Sequence, residues 1–512
     1  MNFFGLFFIA DWFLILVFLG FALYEFLSWR YNELNALGIP GPKPSVPLGN
    51  LGDFFKLGTD FDAIYIKKYG KIFGSYICRN PQITVADLDI SRHVLIKDFD
   101  NFTDRSTLHM RGTLAHSLFD TNGQRWRTMR RKLTPVFTSG KLKLMLEMMK
   151  KCSENLVENL EEFATSGEMF EVKGVTNAFT SDNIASTSFG IELNAQKTPK
   201  HPFIRHGKEI FDGSLKNIFL LISLFMPYIA KYMEKVKPSC LPKDAEHYFV
   251  DLLTEAIKVR RDNPTAKKDL IQMILDAEKD LMKLDDETKA VYNAGLGSIE
   301  NDKSGLSQEE VISNLFLFLL AGYDTTSGTL SFLLYNMAIH PQVQDTLAKE
   351  VENVVREKDL TYSMMSQLTY MDKCINESMR LYPLAAKVER ICLSERQYGN
   401  LKIPEGMSVG IPIRYFHYNP ELWPEPQKFD PERFSAEEKA KRDPLSFMPF
   451  GQGPRMCIGN RFALLTLKVA LAYIIRNFRL LKCEKTEIPL KIRKDALMLT
   501  AENGIWLQIE RR

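Results

Sequence analysis

Apolar and polar residues recur with a helical period along most of the chain beyond residue 50. "SENLVENLEEFA" (153–164), "SQEEVISNLFLFLLAGYDTTSGTLSFLLYNMAIHP" (307–341) and "NRFALLTLKVALAYIIRNF" (460–478) each carry a long apolar face at helix spacing. Strand-like runs are short: "KIFGSYIC" (71–78), "QITVAD" (82–87), "MSVGIPI" (407–413) and "GIWLQIE" (504–510). No solenoid-length repeat and no low-complexity tract interrupts them. The most polar stretch, 278–305, reads as a surface excursion between helices rather than a boundary. The pattern predicts one mainly α domain with small β-sheets over residues 51–512.

Two segments precede it. Phe3 to Tyr24 is apolar except for Asp11, and as a helix would measure about 33 Å, close to a bilayer core. Asp11 costs roughly 2 to 3 kcal/mol at mid-bilayer and less near an edge. No Lys or Arg precedes the run, and aromatics stand where a signal peptide would have a cleavage site. Arg30 and Lys43 follow it, which favours the cytosol for the C-terminal side. Residues 1–30 are therefore expected to form an uncleaved, single-pass anchor, with a buried core helix as the alternative. Prolines at 40, 42, 44 and 47 then predict a stiff, extended linker over 31–50.

The helix expected from Ser307 is the most unusual. Ser307 and Glu310 form a capping-box signature, and Pro341 should stop the helix at His340. Its length is about 50 Å, enough to cross a domain. At its middle lies "AGYDTT" (321–326), where Gly costs about 1 kcal/mol against Ala. An unpaired buried carboxylate would cost far more. One reading is a kink with a solvated Asp324. The other is a local bulge where Gly322 admits something flat, with Asp324 and Thr325 supplying protons.

Composition narrows the field only slightly. A net charge of +3 spread over 512 residues gives no argument for nucleic-acid binding. Seven cysteines, at 78, 152, 240, 374, 392, 457 and 483, show neither zinc-site spacings nor the density of a secreted scaffold. The odd count leaves at least one thiol free, consistent with reduced thiols in a cytosol-facing body. Cys457 differs from the rest, standing among glycines and arginines in "FMPFGQGPRMCIGNRFA" (447–463) at the front of a helix.

That stretch fills the pattern F-x-x-G-x-R-x-C-x-G with Phe450, Gly453, Arg455, Cys457 and Gly459. It resembles the haem-binding loop of the cytochrome P-450 family. "AGYDTT" fits that family's A-G-x-[DE]-T-[TS] pattern, and "ESMR" (377–380), "PERF" (431–434) and "WRTMR" (126–130) occur in the family's order. Gly451 and Gly453 do not begin a dinucleotide fingerprint, because the third glycine and the strand–turn–helix context are missing.

The resemblance implies the P-450 fold, a large helical domain around a buried haem b. Cys457, as thiolate, would bind the iron. Its place at a helix N-terminus favours that charge. Gly453 and Gly459 would leave room for porphyrin and sulfur, and Phe450 would shield the thiolate. Arg455, Arg130 and Trp126 are the expected partners of the haem propionates. Arg390 and Arg105 join them through the flanking "KVERIC" and "FTDR", with surface charge as the alternative. Ala321 counts among the haem contacts. Glu377, Arg380 and Arg433 would brace the loop, while Asp324 and Thr325 would act as the catalytic proton relay.

The same resemblance implies a monooxygenase acting on a lipophilic small molecule and dioxygen. Electrons would come from NADPH through a membrane-anchored reductase, with cytochrome b5 as a second donor. "RWRTMRRK" (125–132) would offer either the basic docking surface or a plain solvated helix face. The location implied is the endoplasmic reticulum membrane, with membrane lipid a partner and nucleic acid not. "FTSGKLK" (137–143), "FLLAGYDTT" (318–326) and "TEIPLKI" (486–492) are similar to the microsomal drug-oxidising branch. Pocket segments are expected near 106–120, 205–230, 384–387 and 496–502, and Phe316 and Phe318 imply an apolar site. "IFLLISLFMPYI" (218–229) either dips into the membrane or roofs the pocket. A haem-thiolate isomerase or dehydratase acting on peroxides is the alternative, and a haem-binding sensor or carrier the third; an intact Asp324–Thr325 pair disfavours both.

Overall fold

The computed structural model describes residues 3–105, 112–198, 201–213, 241–262, 269–279, 305–355, 359–494, 496 and 498–512. The apolar stretch 218–229 and nearly all of the polar stretch 278–305 lie outside them. So do Cys240 and parts of the expected pocket segments.

The central element is the capped helix read from the sequence. Ser307 Oγ accepts from Glu310 N–H at 3.2 Å, and Glu310 returns the bond to Ser307 N–H at 2.8 Å. The helix runs Gln308–Ile339, and Pro341 opens the next one, Pro341–Val355. We number the helices used below in chain order: α1 Phe3–Ser28, α2 Gly123–Leu133, α3 Ser139–Ser166, α4 Val172–Ile184, α5 Lys243–Asp262, α6 Gln308–Ile339, α7 Pro341–Val355, α8 Thr369–Leu381 and α9 Asn460–Asn477. Helix α6 is apolar nearly all round because α4, α5, α8 and α9 pack against it.

Three small sheets lie to the side. β1 (Ile72–Ile77), β2 (Asn80–Val85), β7 (Ser408–Ile411) and β4 (Val388–Ile391) form one, in the order β1-β2-β7-β4. Its β2–β7 pairing is parallel. β3 (Phe170–Glu171), β9 (Trp506–Arg511) and β8 (Phe478–Lys482) form a second, and β5 (Arg396–Tyr398) pairs with β6 (Leu401–Ile403). The four strands expected from alternation are all present, displaced by one or two residues. The mainly α reading with small β-sheets holds.

The proline-rich segment does more than space. Gly74 N–H donates to Pro40 O at 2.8 Å, and a Cβ on Gly41 would lie 2.0 Å from Gly74 O. Tyr76 OH donates to Tyr31 O at 3.0 Å, the two rings meet edge to face at 5.1 Å, and Asn50 closes the segment onto Tyr76 N–H. The prolines hold an extended strap that lies along β1. In α1, the side chains from Trp12 to Phe26 are largely exposed and apolar, as is Trp29 just beyond it. Among the described residues no helix is long and apolar enough to cross a membrane, so the expected spanning anchor is not shown here.

Candidate haem site

The loop from Phe447 to Gly459 is shaped by backbone that only glycine accepts. Gly453 has φ +76°, and a Cβ there would fall 1.8 Å from Leu95 O. Cys457 N–H donates to Phe450 O at 2.9 Å and Met456 N–H to Gly453 O at 3.0 Å, folding the loop back over itself. Gly459 is the N-cap of α9, and its N–H donates to the Cys457 sulfur, lowering the thiol pKa.

Burial nevertheless has the larger effect and raises the Cys457 thiol, against the pull of Gly459, Arg130 and Arg105. Yet the side chain is exposed to a water-sized sphere. Both statements hold for a group on the wall of an internal cavity. The six described cysteines are free, four of them buried, and burial raises the thiols at 78, 152, 374 and 392 with no cation close enough to reverse it.

Around this wall the chain gathers guanidinium groups. Arg455 Nη2 donates to Thr121 O at 2.8 Å and to Asn122 Oδ1 at 2.9 Å, and its guanidinium lies 4.4 Å from the Trp126 ring centroid. Its Nε and Nη1 are buried without a hydrogen-bond partner. Arg105 Nη2 donates to Arg455 O at 3.1 Å and stacks over Phe119. Arg390 is buried, donates once to Glu389 O, and leaves Nε unpartnered. Burial, with mutual repulsion, pulls Arg390 down to about 9 and Arg455 to about 8. Arg130 contributes to both the Cys457 and Arg455 shifts, so it stands in the same group. Orphaned N–H donors on Arg390 and Arg455, within a group of guanidinium groups that repel one another, are what a buried ligand with two carboxylates would satisfy.

On α6, whose other side chains are mostly buried, Ala321 is exposed and Thr325 half-buried, one helical turn apart. The expected bulge is absent: α6 is continuous through Ala321–Thr326. Thr325 Oγ1 donates to Ala321 O at 2.5 Å, a back-bond that spares the helix a break. Gly322 does not open toward the cavity either. A Cβ there would sit 2.6 Å from Ile184 Cδ1, so the glycine lets α4 approach α6. Asp324 is buried and ion-paired to Lys173 Nζ of α4 at 2.9 Å, a partner that no sequence pattern announced.

The brace is fully internal. Glu377 and Arg380 form a two-pronged pair at 2.7 and 2.8 Å, both with no exposed side-chain surface. Arg380 also donates to His417 O, Pro426 O and Lys428 O, and Asp430 N–H donates to Glu377. Arg433 lies 3.4 Å from Glu377 Oε1. His417 links this brace to the loop, because its Nε2 accepts from Met448 N–H at 2.9 Å and its ring stacks on Phe447. Sequence reading missed His417, which lies in no motif.

The basic stretch at 125–132 is largely spoken for. Arg125 pairs with Glu310, Arg127 with Asp100, and Lys132 is buried. For these three charges the stretch is not a plain solvated face.

Comparison with known proteins follows this geometry. A family model described as cytochrome P450 matches residues 40–507. The chain belongs to the cytochrome P450 family. It is 36% identical over 489 residues to cytochrome P450 3A27 of Oncorhynchus mykiss, covering 94% of this chain and 91% of that protein. It is 35% identical over 508 residues to cytochrome P450 3A7 of Homo sapiens, covering 98% and 97%. It is 34% identical over 504 residues to the lithocholate 6-beta-hydroxylase of Mesocricetus auratus, covering 98% and 96%. This cytochrome P450 is accordingly a monooxygenase, an oxidoreductase of the haem-dependent kind, and the orphaned arginine donors fit that cofactor.

A pH prediction arises from His417. Burial and the Arg380 charge push its imidazole down to about 3. The unfolded chain binds that proton near pH 6.5, so the folded state loses stability as pH falls below it. The slope is at most about 1.4 kcal/mol per pH unit. His417→Gln should flatten the fall in unfolding free energy between pH 7 and 5 by about 2 kcal/mol. Parallel curves for the two proteins would show that the histidine is not held neutral.

Proposed function

We propose that this cytochrome P450 oxidises lipophilic small molecules, drawing electrons from NADPH through a partner reductase, with cytochrome b5 as a second donor. The body works at the cytosolic face of the endoplasmic reticulum, held by residues 1–30 as a single-pass anchor. The observation that carries the reading is the Cys457 thiol in the electrostatic reach of Arg105 and Arg130, with Arg390 and Arg455 beside them carrying unpartnered N–H donors. Relatives include a hydroxylase named for lithocholate, a lipophilic acid, which supports the substrate class.

Haem, when bound, supplies the iron that activates dioxygen. Cys457 would ligate it, with Gly459 N–H holding charge on the sulfur and Phe450 limiting water. Arg455, Arg390, Arg105 and Arg130, with Trp126, would hold the propionates. Thr325 has its one proton committed to Ala321 O, so its oxygen lone pairs are what it offers an ordered water. Asp324 would pass protons inward. Its side chain is 11% exposed and that of Lys173 29%, so the pair reaches from the helix interior toward solvent.

The test is product formation from a lipophilic substrate by protein reconstituted in lipid with reductase and NADPH. Monooxygenation should require both. Turnover of a peroxide substrate without either would favour the isomerase reading instead. Thr325→Ala should keep consuming NADPH while releasing more hydrogen peroxide and severalfold less product. An unchanged ratio of product to NADPH would remove Thr325 from the relay.

A further inference from the structure

Asparagine is among the strongest N-cap residues, because its side-chain oxygen accepts from the first free N–H groups of a helix. Asn122 holds that place on α2, in extended backbone, and its carbonyl takes the bond from Trp126 N–H at 3.3 Å. Its side chain nevertheless makes no cap. A carboxylate from another segment serves instead: Gly123 N–H donates to Asp104 Oδ1 at 2.8 Å.

The amide of Asn122 turns to two arginines. Its Oδ1 accepts from Arg105 N–H at 3.2 Å and from Arg455 Nη2 at 2.9 Å, while its Nδ2 donates to Arg105 O at 3.2 Å. The backbone of Arg105 is thus held at both its donor and its acceptor, as a neighbouring strand would hold it. Thr121 O takes a second bond from the same Arg455 Nη2 at 2.8 Å, and Arg105 Nη2 closes the ring on Arg455 O at 3.1 Å. The residue before Arg105 extends the register to a third arginine. Ile391 N–H donates to Asp104 O at 2.8 Å, which fixes β4, and Arg390 with it, against the same segment. Arg455 is left with Nη2 engaged twice and with Nε and Nη1 buried and unpartnered. A planar guanidinium on a flexible stem presents its remaining donors in one direction only when one edge is held. We infer that Asn122 is a positioning residue for the haem carboxylates, giving up its own helix cap to hold Arg105 and Arg455 in register so that the unpartnered donors of Arg455 remain for the cofactor. It acts through Arg455 rather than on the cofactor itself. The inference deepens the haem reading and rests on it.

Asn122→Ser separates this role from capping. Serine caps a helix as well as asparagine does, but it has one short oxygen and no amide, so it cannot hold both arginines. The haem-loaded protein is followed in two ways: transfer of haem to excess apomyoglobin, and the potential of the ferric–ferrous couple. Asn122→Ser should lose haem about tenfold faster than wild type. Its potential should move to a more negative value, because carboxylates less well paired with Arg455 favour the oxidised iron. In an Arg455→Lys background, where Nη2 and its bonds are gone, Asn122→Ser should add little to either quantity. Equal effects in both backgrounds would make Asn122 a general brace of the loop, and unchanged haem loss and potential would leave the register to Thr121 and Arg105 alone; either result overturns the inference. Wild-type protein that purifies without haem would bring down the cofactor reading first, and this inference with it.

Discussion

Cys457→Ser protein forms no product from any substrate of the wild type, and its reduced, carbon monoxide-treated spectrum lacks the Soret band of thiolate ligation. The expectation follows from how much of the chain is spent on one sulfur. Gly453 keeps a positive φ against Leu95 O, Gly459 aims an N–H at the thiol, and Arg105 and Arg130 bias it toward the anion. A serine hydroxyl fits the space but ionises far above any accessible pH, so the ligand charge is lost. The measurement reads cofactor content and ligand identity together. A variant that retains the thiolate band would transfer the role to another cysteine; burial raises Cys152 and Cys374 as it does Cys457, but without the arginines that pull the Cys457 thiol back down.

The second large effect is on assembly. Glu377→Gln removes the charge that compensates Arg380 while leaving its shape. Arg380 then stays buried on three carbonyl oxygens, with Arg433 close by. Breaking a fully buried pair from one side costs about 3–5 kcal/mol. The damage should reach the loop, because Arg380, His417 and Met448 are linked in series. Denaturant unfolding should show a loss of that size together with a reduced yield of haem-loaded protein. A loss under about 1 kcal/mol would mean that the network relaxes around the amide.

Much of this was legible in the residues themselves. Period and capping placed α6 to within a residue at each end, since Ser307, Glu310 and Pro341 are local signals that packing has no reason to override. The loop glycines and Cys457 stood out because their chemistry is rare. What could not be read was partnership across the chain. Lys173 lies about 150 residues from Asp324 and His417 about 30 from Met448, and neither spacing carries a pattern. Gly322 shows the opposite failure. Its cost in a helix was evident, but whether it serves a ligand or a neighbouring helix depends on Ile184, which only the packing reveals. The linker was legible in conformation and not in attachment, because prolines fix an extended path without saying what it lies on.

That attachment sets where the molecule divides. Arg79, in the turn between β1 and β2, stands 4.0 Å over the Phe26 ring and 5.7 Å from Trp29, just before Tyr31 and Leu34 enter the packed interior. The seam between the apolar leader and the enzyme thus falls at Trp29–Tyr31, well ahead of Pro47, the last proline of the linker. A leader gripped at its exit leaves the body in one set direction, and the strap along β1 is the keel that keeps it.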